Sequence, residues 1–74
     1  MKLKNIGSNM TEVETSDGTL VLFSYSTPVA CFIPGLAYFR TDTHYSVTTS
    51  KHINKWIGKA YCEERPQHFF DILA

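Results

Sequence analysis

The chain has 74 residues, 43% hydrophobic and 14% aromatic, and its seven basic and seven acidic residues cancel to a formal charge of zero. That length gives a single domain (1–74) near the lower limit for an unstapled core, and the apolar content excludes a disordered chain. Zero net charge excludes a strong global field that would draw the whole molecule onto nucleic acid or lipid.

Residues 1–9 carry few apolar side chains and are expected to form a loosely ordered lead-in, with Leu3 and Ile6 as its only anchors. Met10 to Thr15 alternates weakly around Val13, and Asp17-Gly18 has the composition of a tight type I′ hairpin turn. The Leu20–Ser26 segment follows as a strand, with Val21, Phe23 and Tyr25 on one face and Leu22, Ser24 and Ser26 on the other. Pro28 lacks an N–H, so Val29–Ile33 is expected to continue that strand beyond a kink. Pro34-Gly35 suits the centre of a type II turn and returns the chain as Leu36–Thr41. Tyr45–Thr48 then reads as a further strand.

From Ser50 the period changes. Ile53, Trp56, Ile57, Ala60 and Tyr61 fall at i, i+3, i+4, i+7 and i+8, the inward stripe of an amphipathic helix, which predicts a helix from Ser50 to about Glu63 with Ser50 as its N-cap. Lys51, Lys55 and Lys59 line another face. Gly58 falls inside this expected helix, and Trp56 is expected near the centre of its packing. Pro66 opens a short last helix with Phe69, Ile72 and Leu73 inward. The expected fold class is α+β: a small antiparallel sheet of three to four strands packed by one amphipathic helix, plus a short C-terminal helix.

Two cysteines, Cys31 and Cys62, are too few for a disulfide framework, and free thiols are expected. No apolar run approaches the roughly 20 residues of a membrane helix, and the N-terminus lacks an apolar signal region, so no membrane association and a cytoplasmic location are expected. His44, His52, His68 and Cys62 lack paired-ligand spacing, and neither a metal nor any other cofactor is expected. Glu63-Glu64 does not form an acid/base dyad, and Cys62 or Ser50 beside His52 lacks an orienting third group, so the chain is not expected to be an enzyme.

Binding is the remaining class of function. Thr49, Ser50, Lys51 and His52 at a helix entrance, extended by Lys55 and Lys59, are the residue types that receive a phosphate or carboxylate, so nucleic acid or another anionic macromolecule is the first partner considered. For nucleic acid, Arg40 adds a further cation, and any of Tyr25, Tyr38, Phe39 and Tyr45 left exposed on the sheet would serve as a stacking platform, although strand aromatics are more often core. The alternative is protein–protein contact or homo-oligomerisation through a sheet edge and the last helix, where Phe69, Phe70 and Leu73 form the candidate surface and Phe70 lies off the inward stripe.

The strings Phe23-Ser24-Tyr25-Ser26-Thr27-Pro28-Val29-Ala30 and Ser46-Val47-Thr48-Thr49-Ser50-Lys51-His52-Ile53-Asn54-Lys55-Trp56 resemble a family of short uncharacterised proteins from bacteriophages and environmental bacteria. The resemblance spans about residues 12–57. It implies a viral or accessory setting and a binding role, and it assigns no catalytic residue.

Overall fold

The computed structural model describes residues 2–73, so Met1 and Ala74 of the expected 1–74 domain lie outside the described residues. The elements are β1 (Lys2–Gly7), β2 (Met10–Glu14), β3 (Leu20–Ser24), β4 (Thr27–Ile33), β5 (Ala37–Thr41), α1 (Val47–Ile57), β6 (Cys62–Arg65) and α2 (Gln67–Leu73). The strands form one six-stranded mixed sheet in the order β1-β2-β3-β4-β5-β6. The first five run antiparallel and β6 lies parallel to β5. This corrects the expected sheet of three to four antiparallel strands under a single helix.

A helix packs on each face. Leu22, Val29, Ala30 and Met10 pack with Ile53 and Ile57 of α1, whereas Val21, Cys31 and Phe39 pack with Phe70 of α2. Successive strand residues point to opposite faces, so a strand covered on both sides needs consecutive apolar residues rather than alternation. Val21-Leu22 and Val29-Ala30-Cys31 are such runs, and all five residues are buried. The expectation of a partly wet sheet face fails at these central strands.

β1 replaces the expected loose lead-in. Its side chains are mostly exposed, and it is held by its ladder to β2, where Lys2 faces Glu14, Leu3 faces Val13 and Lys4 faces Glu12. Opposite charges across a ladder stabilise a pair that buries little. The hairpin after β2 is also wider than expected. Thr15 and Thr19 close it through Thr15 N–H to Thr19 O at 2.9 Å, and Gly18 donates to Thr15 O at 3.1 Å. Only Gly18 takes a positive φ there, so the loop is a turn followed by a glycine bulge rather than a two-residue type I′ turn. The Asp17 carboxylate accepts from Thr15 Oγ1 and from Thr19 N–H, which holds its pKa below the ordinary carboxylate value.

The chain reverses at Tyr25-Ser26 instead of kinking through Pro28, with Ser24 paired to Thr27. Pro28 faces Phe23 at a register shift and has no partner in β5, whose pairing starts at Ala30, so its missing N–H falls where no ladder bond is required. The Pro34-Gly35 turn forms as expected: Leu36 N–H donates to Ile33 O at 3.0 Å and Gly35 has φ +82°.

α1 starts earlier and stops sooner than its apolar period indicates. The N-cap is Ser46, in extended backbone, whose Oγ accepts from Thr49 N–H at 3.1 Å. Ser50 is already inside the helix, donating its N–H to Ser46 O at 3.0 Å. Tyr45–Thr48 is therefore not a strand: capping and the burial of Thr49 outweigh the β-branched character of Val47-Thr48. Gly58 ends α1 with φ +67°, a conformation that strains any side chain, and its N–H caps Asn54 O at 2.9 Å. Ala60 and Tyr61 consequently lie exposed in the return to β6. Ile53 and Ile57 are the buried residues of the α1 stripe, while Trp56 sits half-buried at its rim, edge-on to Tyr38 at 5.5 Å.

Cys31 is fully buried and Cys62 half-buried, and both are free. Burial pushes the Cys31 thiol from its ordinary 9.0 up to about 11. The folded chain therefore holds a proton that the unfolded chain releases between those values, and stability falls as pH rises through that window. A disulfide reagent at mildly alkaline pH should titrate Cys62 alone in the native protein and both thiols in denaturant. Two fast-reacting thiols in the folded state would contradict the burial.

Candidate functional site

The register sorts the charges by face. Glu12 pairs with Leu22 and Arg40 with Ala30, both on the α1 side, and the same alternation places Lys2, Lys4, Glu14 and Glu64 there. With Lys51 and Lys55 on α1 and Lys59 in the turn after it, six of the seven basic residues lie on this side. α1 itself contains no acidic residue. The remaining basic residue, Arg65, lies on the α2 side, where its Nη2 pairs with Glu63 Oε1 at 3.0 Å and its guanidinium covers Phe39 at 4.8 Å. Among the described residues this is the one ion pair, so Lys51, Lys55 and Lys59 project from the surface without a carboxylate within bridging distance.

Around the lysines, two side chains are tied down. Arg40 donates through Nη1 to Asn54 Oδ1 at 2.9 Å, which holds a guanidinium against the flank of α1. Trp56 Nε1 donates to Glu12 Oε1 at 2.9 Å, giving the nearest carboxylate of β2 a partner inside the protein.

The remaining residues of the expected anion site separate into three environments. Thr49 is buried and belongs to a hydroxyl chain: Ser46 Oγ donates to Thr49 Oγ1 at 3.2 Å, which lies 3.1 Å from Ser24 Oγ, itself 2.8 Å from His52 Nδ1. Ser50 lines a polar cleft of about 170 Å³ that Thr49 also borders, with Arg40, Asp42, His44 and Glu64, and the Ser50 Oγ is 3.4 Å from His44 Nδ1. His52 is half-exposed beside Tyr25, ring centroids 6.0 Å apart. At the helix entrance Ser46 occupies the Thr49 N–H and the Thr49 hydroxyl is engaged with Ser24 and Ser46, which leaves the cleft beside Ser50 as the open polar space there. Lys51, Lys55, Lys59 and the His52 ring face outward as the accessible part of the predicted set.

On the opposite face, the expected interaction surface is corrected. Phe70 is 0% exposed and is the largest fully buried side chain; Phe69 packs edge-on to it at 5.1 Å, and Leu73 is half-buried against the same cluster. The outward apolar residue of α2 is Ile72, which the period assigned inward. The helix is phased on Phe70 because that residue meets Val21, Cys31 and Phe39 at the centre of the sheet. At the β1–β3 end of the sheet, an open groove of about 260 Å³ is lined by Leu3, Thr11, Val13, Phe23, Tyr25 and Ser26. Neither depression reaches the roughly 300 Å³ at which small-molecule sites begin.

Glu63 and Glu64 lie on opposite faces of β6, a strand rather than a helix end. Among the described residues no three His, Cys, Asp or Glu side chains gather as a metal site. No helix among them is long and apolar enough to cross a membrane.

Sequence reasoning missed Ser24 and Ser46; of the four candidate stacking aromatics, Tyr25 and Tyr45 are the exposed ones. Ser46 ahead of the helix was a usable N-cap signal, since its Oγ can accept the N–H three residues on. The Ser24–His52 contact joins positions 28 residues apart and had no local signal.

Fold and face together define a small mixed-sheet domain, covered by one helix on each side, that presents a cationic helix surface. The chain belongs to the family of unknown function DUF8033, whose model matches residues 1–72. That match extends beyond the 12–57 span of the resemblance and takes in β1, β6 and nearly all of α2. No curated protein and no solved structure matches the chain.

Proposed function

We propose that this protein binds an anionic macromolecule, nucleic acid foremost, through the outer face of α1, and acts by contact without turnover. The observation that supports this reading is the sorting of charge: a chain of zero net charge gathers six of its seven basic residues on one side, against Glu12, Glu14 and Glu64, and among the described residues no carboxylate lies within bridging distance of Lys51, Lys55 or Lys59. Surface lysines on and just after a helix that carries no acid bind phosphates by displacing counterions, which leaves a signature in salt dependence. The contact surface is the lysine face and not the capped helix entrance. A binding role also accords with the phage accessory setting that the sequence resemblance implies. Fluorescence anisotropy with labelled oligonucleotides at low salt tests the reading; affinity should fall steeply with added salt. Binding indifferent to salt, or none at high micromolar protein, would exclude it.

A second reading, self-association, draws on the α2 side. β1 leaves one edge of the sheet without a partner strand, and the adjoining groove carries Leu3, 75% exposed, next to Val13 and Phe23. Light scattering after size exclusion should then show a dimer that Leu3→Glu converts to a monomer. A monomer for wild type at high concentration would exclude it.

A further inference from the structure

Among the described residues two non-glycine residues take a positive φ, Asn9 and Tyr25, both exposed, and of the two the tyrosine is the costly one. Tyr25 has φ +58° at the tip of the β3–β4 hairpin, a region that glycine enters freely and asparagine tolerates. Its N–H donates to Asn9 O at 2.7 Å, so the neighbouring β1–β2 hairpin holds it there. The ring is not buried in compensation: Tyr25 is 55% exposed. A strained residue that gains little from packing is an outlier of the kind that clusters at binding sites.

The ring stands beside His52 with the planes tilted by 43°. His52 in turn is oriented from beneath. Its Nδ1 is bonded to Ser24 Oγ, 2% exposed, which is bonded to the buried Thr49 hydroxyl. Buried hydroxyls therefore set the angle of a partly exposed imidazole next to an exposed phenol. Lys51 immediately precedes His52 on α1, and Lys55 follows one turn later, about 6 Å along the axis.

We propose that Tyr25 and His52 form a stacking shelf for an unpaired nucleobase, which makes single-stranded nucleic acid the partner of the α1 face; this rests on the anionic-partner reading above. Aromatic rings interleaved with cations are the elements of single-strand recognition, since every base offers a π-face and every nucleotide a phosphate. A duplex hides its base faces in the stack and has no use for the shelf. An acidic peptide would engage Lys51 and Lys55 but leaves the ring pair without a role. The step between Lys51 and Lys55 is comparable with the spacing of successive phosphates along an extended strand.

Tyr25→Gly tests this without threatening the fold, because glycine removes the ring and adopts the positive φ without strain. The full-length variant should melt at or above the wild-type temperature and yet bind labelled oligo(dT) roughly tenfold more weakly, the effect of losing one stacked base. Tyr25→Phe should retain wild-type affinity, and base-free polyphosphate should bind Tyr25→Gly as it binds wild type. Undiminished oligo(dT) binding by Tyr25→Gly would overturn the shelf. So would duplex or polyphosphate binding as tight as oligo(dT), or polyglutamate displacing oligo(dT); each of these leaves the broader anionic-partner reading standing. Failure of every polyanion at low salt would remove both.

Discussion

Replacing Phe70 with alanine should cost about 3–5 kcal/mol, the usual range for removing a fully buried aromatic ring. Phe70 is completely enclosed among Val21, Cys31, Phe39 and Phe69, and α2 has only seven residues with which to hold its place. A domain of this size has a total stability of roughly 4–11 kcal/mol at the per-residue average. The loss therefore takes much of what is available, and at the lower end it leaves the chain largely unfolded. Urea denaturation followed by circular dichroism checks this. A cost below 1 kcal/mol would mean that α2 does not pack as described. Phe70→Asp, which places a charge at the same point, should prevent folding altogether, so that position cannot report on surface association.

The second large effect concerns binding. Substituting Lys51, Lys55 and Lys59 together with glutamine keeps side-chain length and helix propensity at exposed positions, so the melting temperature should be unchanged within a small margin. Each phosphate contact on a single strand contributes about 0.7 to the slope of log K against log salt, so losing three should flatten the slope by about 2. Affinity at low salt should fall below detection if these residues supply most of the contacts. Measuring the slope for wild type and variant separates charge from shape. An identical slope would move the contact away from α1, with Lys2, Lys4 and Arg40 as the next residues to substitute.

Parts of this fold were legible for local reasons. Pro34-Gly35 supplies both special backbone positions of its turn within two residues, and Gly18 its single bulge position. The central strands were visible as strands, but the contiguous apolar residues of Val21-Leu22 and Val29-Ala30-Cys31 were read as half-wet alternation. Those runs already implied a helix on each side, and with it the burial of Phe70. β1 and β6 escaped notice because their sequences, Lys-Leu-Lys-Asn-Ile-Gly and Cys-Glu-Glu-Arg, are mostly polar. Both are edge strands, held by ladder bonds, which leave no apolar period to detect. The α1 boundaries were misplaced because two serines compete for the cap and because Ala60 and Tyr61 continue the apolar spacing past a glycine that stops the helix.

The candidate site was legible in composition and not in geometry. Lysines at i, i+4 and i+8 announce a shared face, and the first two are presented by the helix as expected. The hydroxyls behind them were assigned to the ligand, yet Thr49 serves the interior through Ser24 and Ser46. In sequence Tyr25 is one of four strand aromatics that could stack on a base if exposed, and nothing local singles it out. Its exposure follows from a chain reversal that no proline or glycine marks.

The sorting of cations by face has a consequence that the isoelectric point of about 6.8 conceals. A neutral molecule polarised across a body some 24 Å thick carries a permanent electric dipole, and near a polyanion it feels a torque before it feels a net pull. It would turn its lysines inward and its Glu63 and Asp71 outward while still diffusing, so the docking orientation is selected during approach. Titration of the whole chain records none of this, because the moment and not the monopole does the steering.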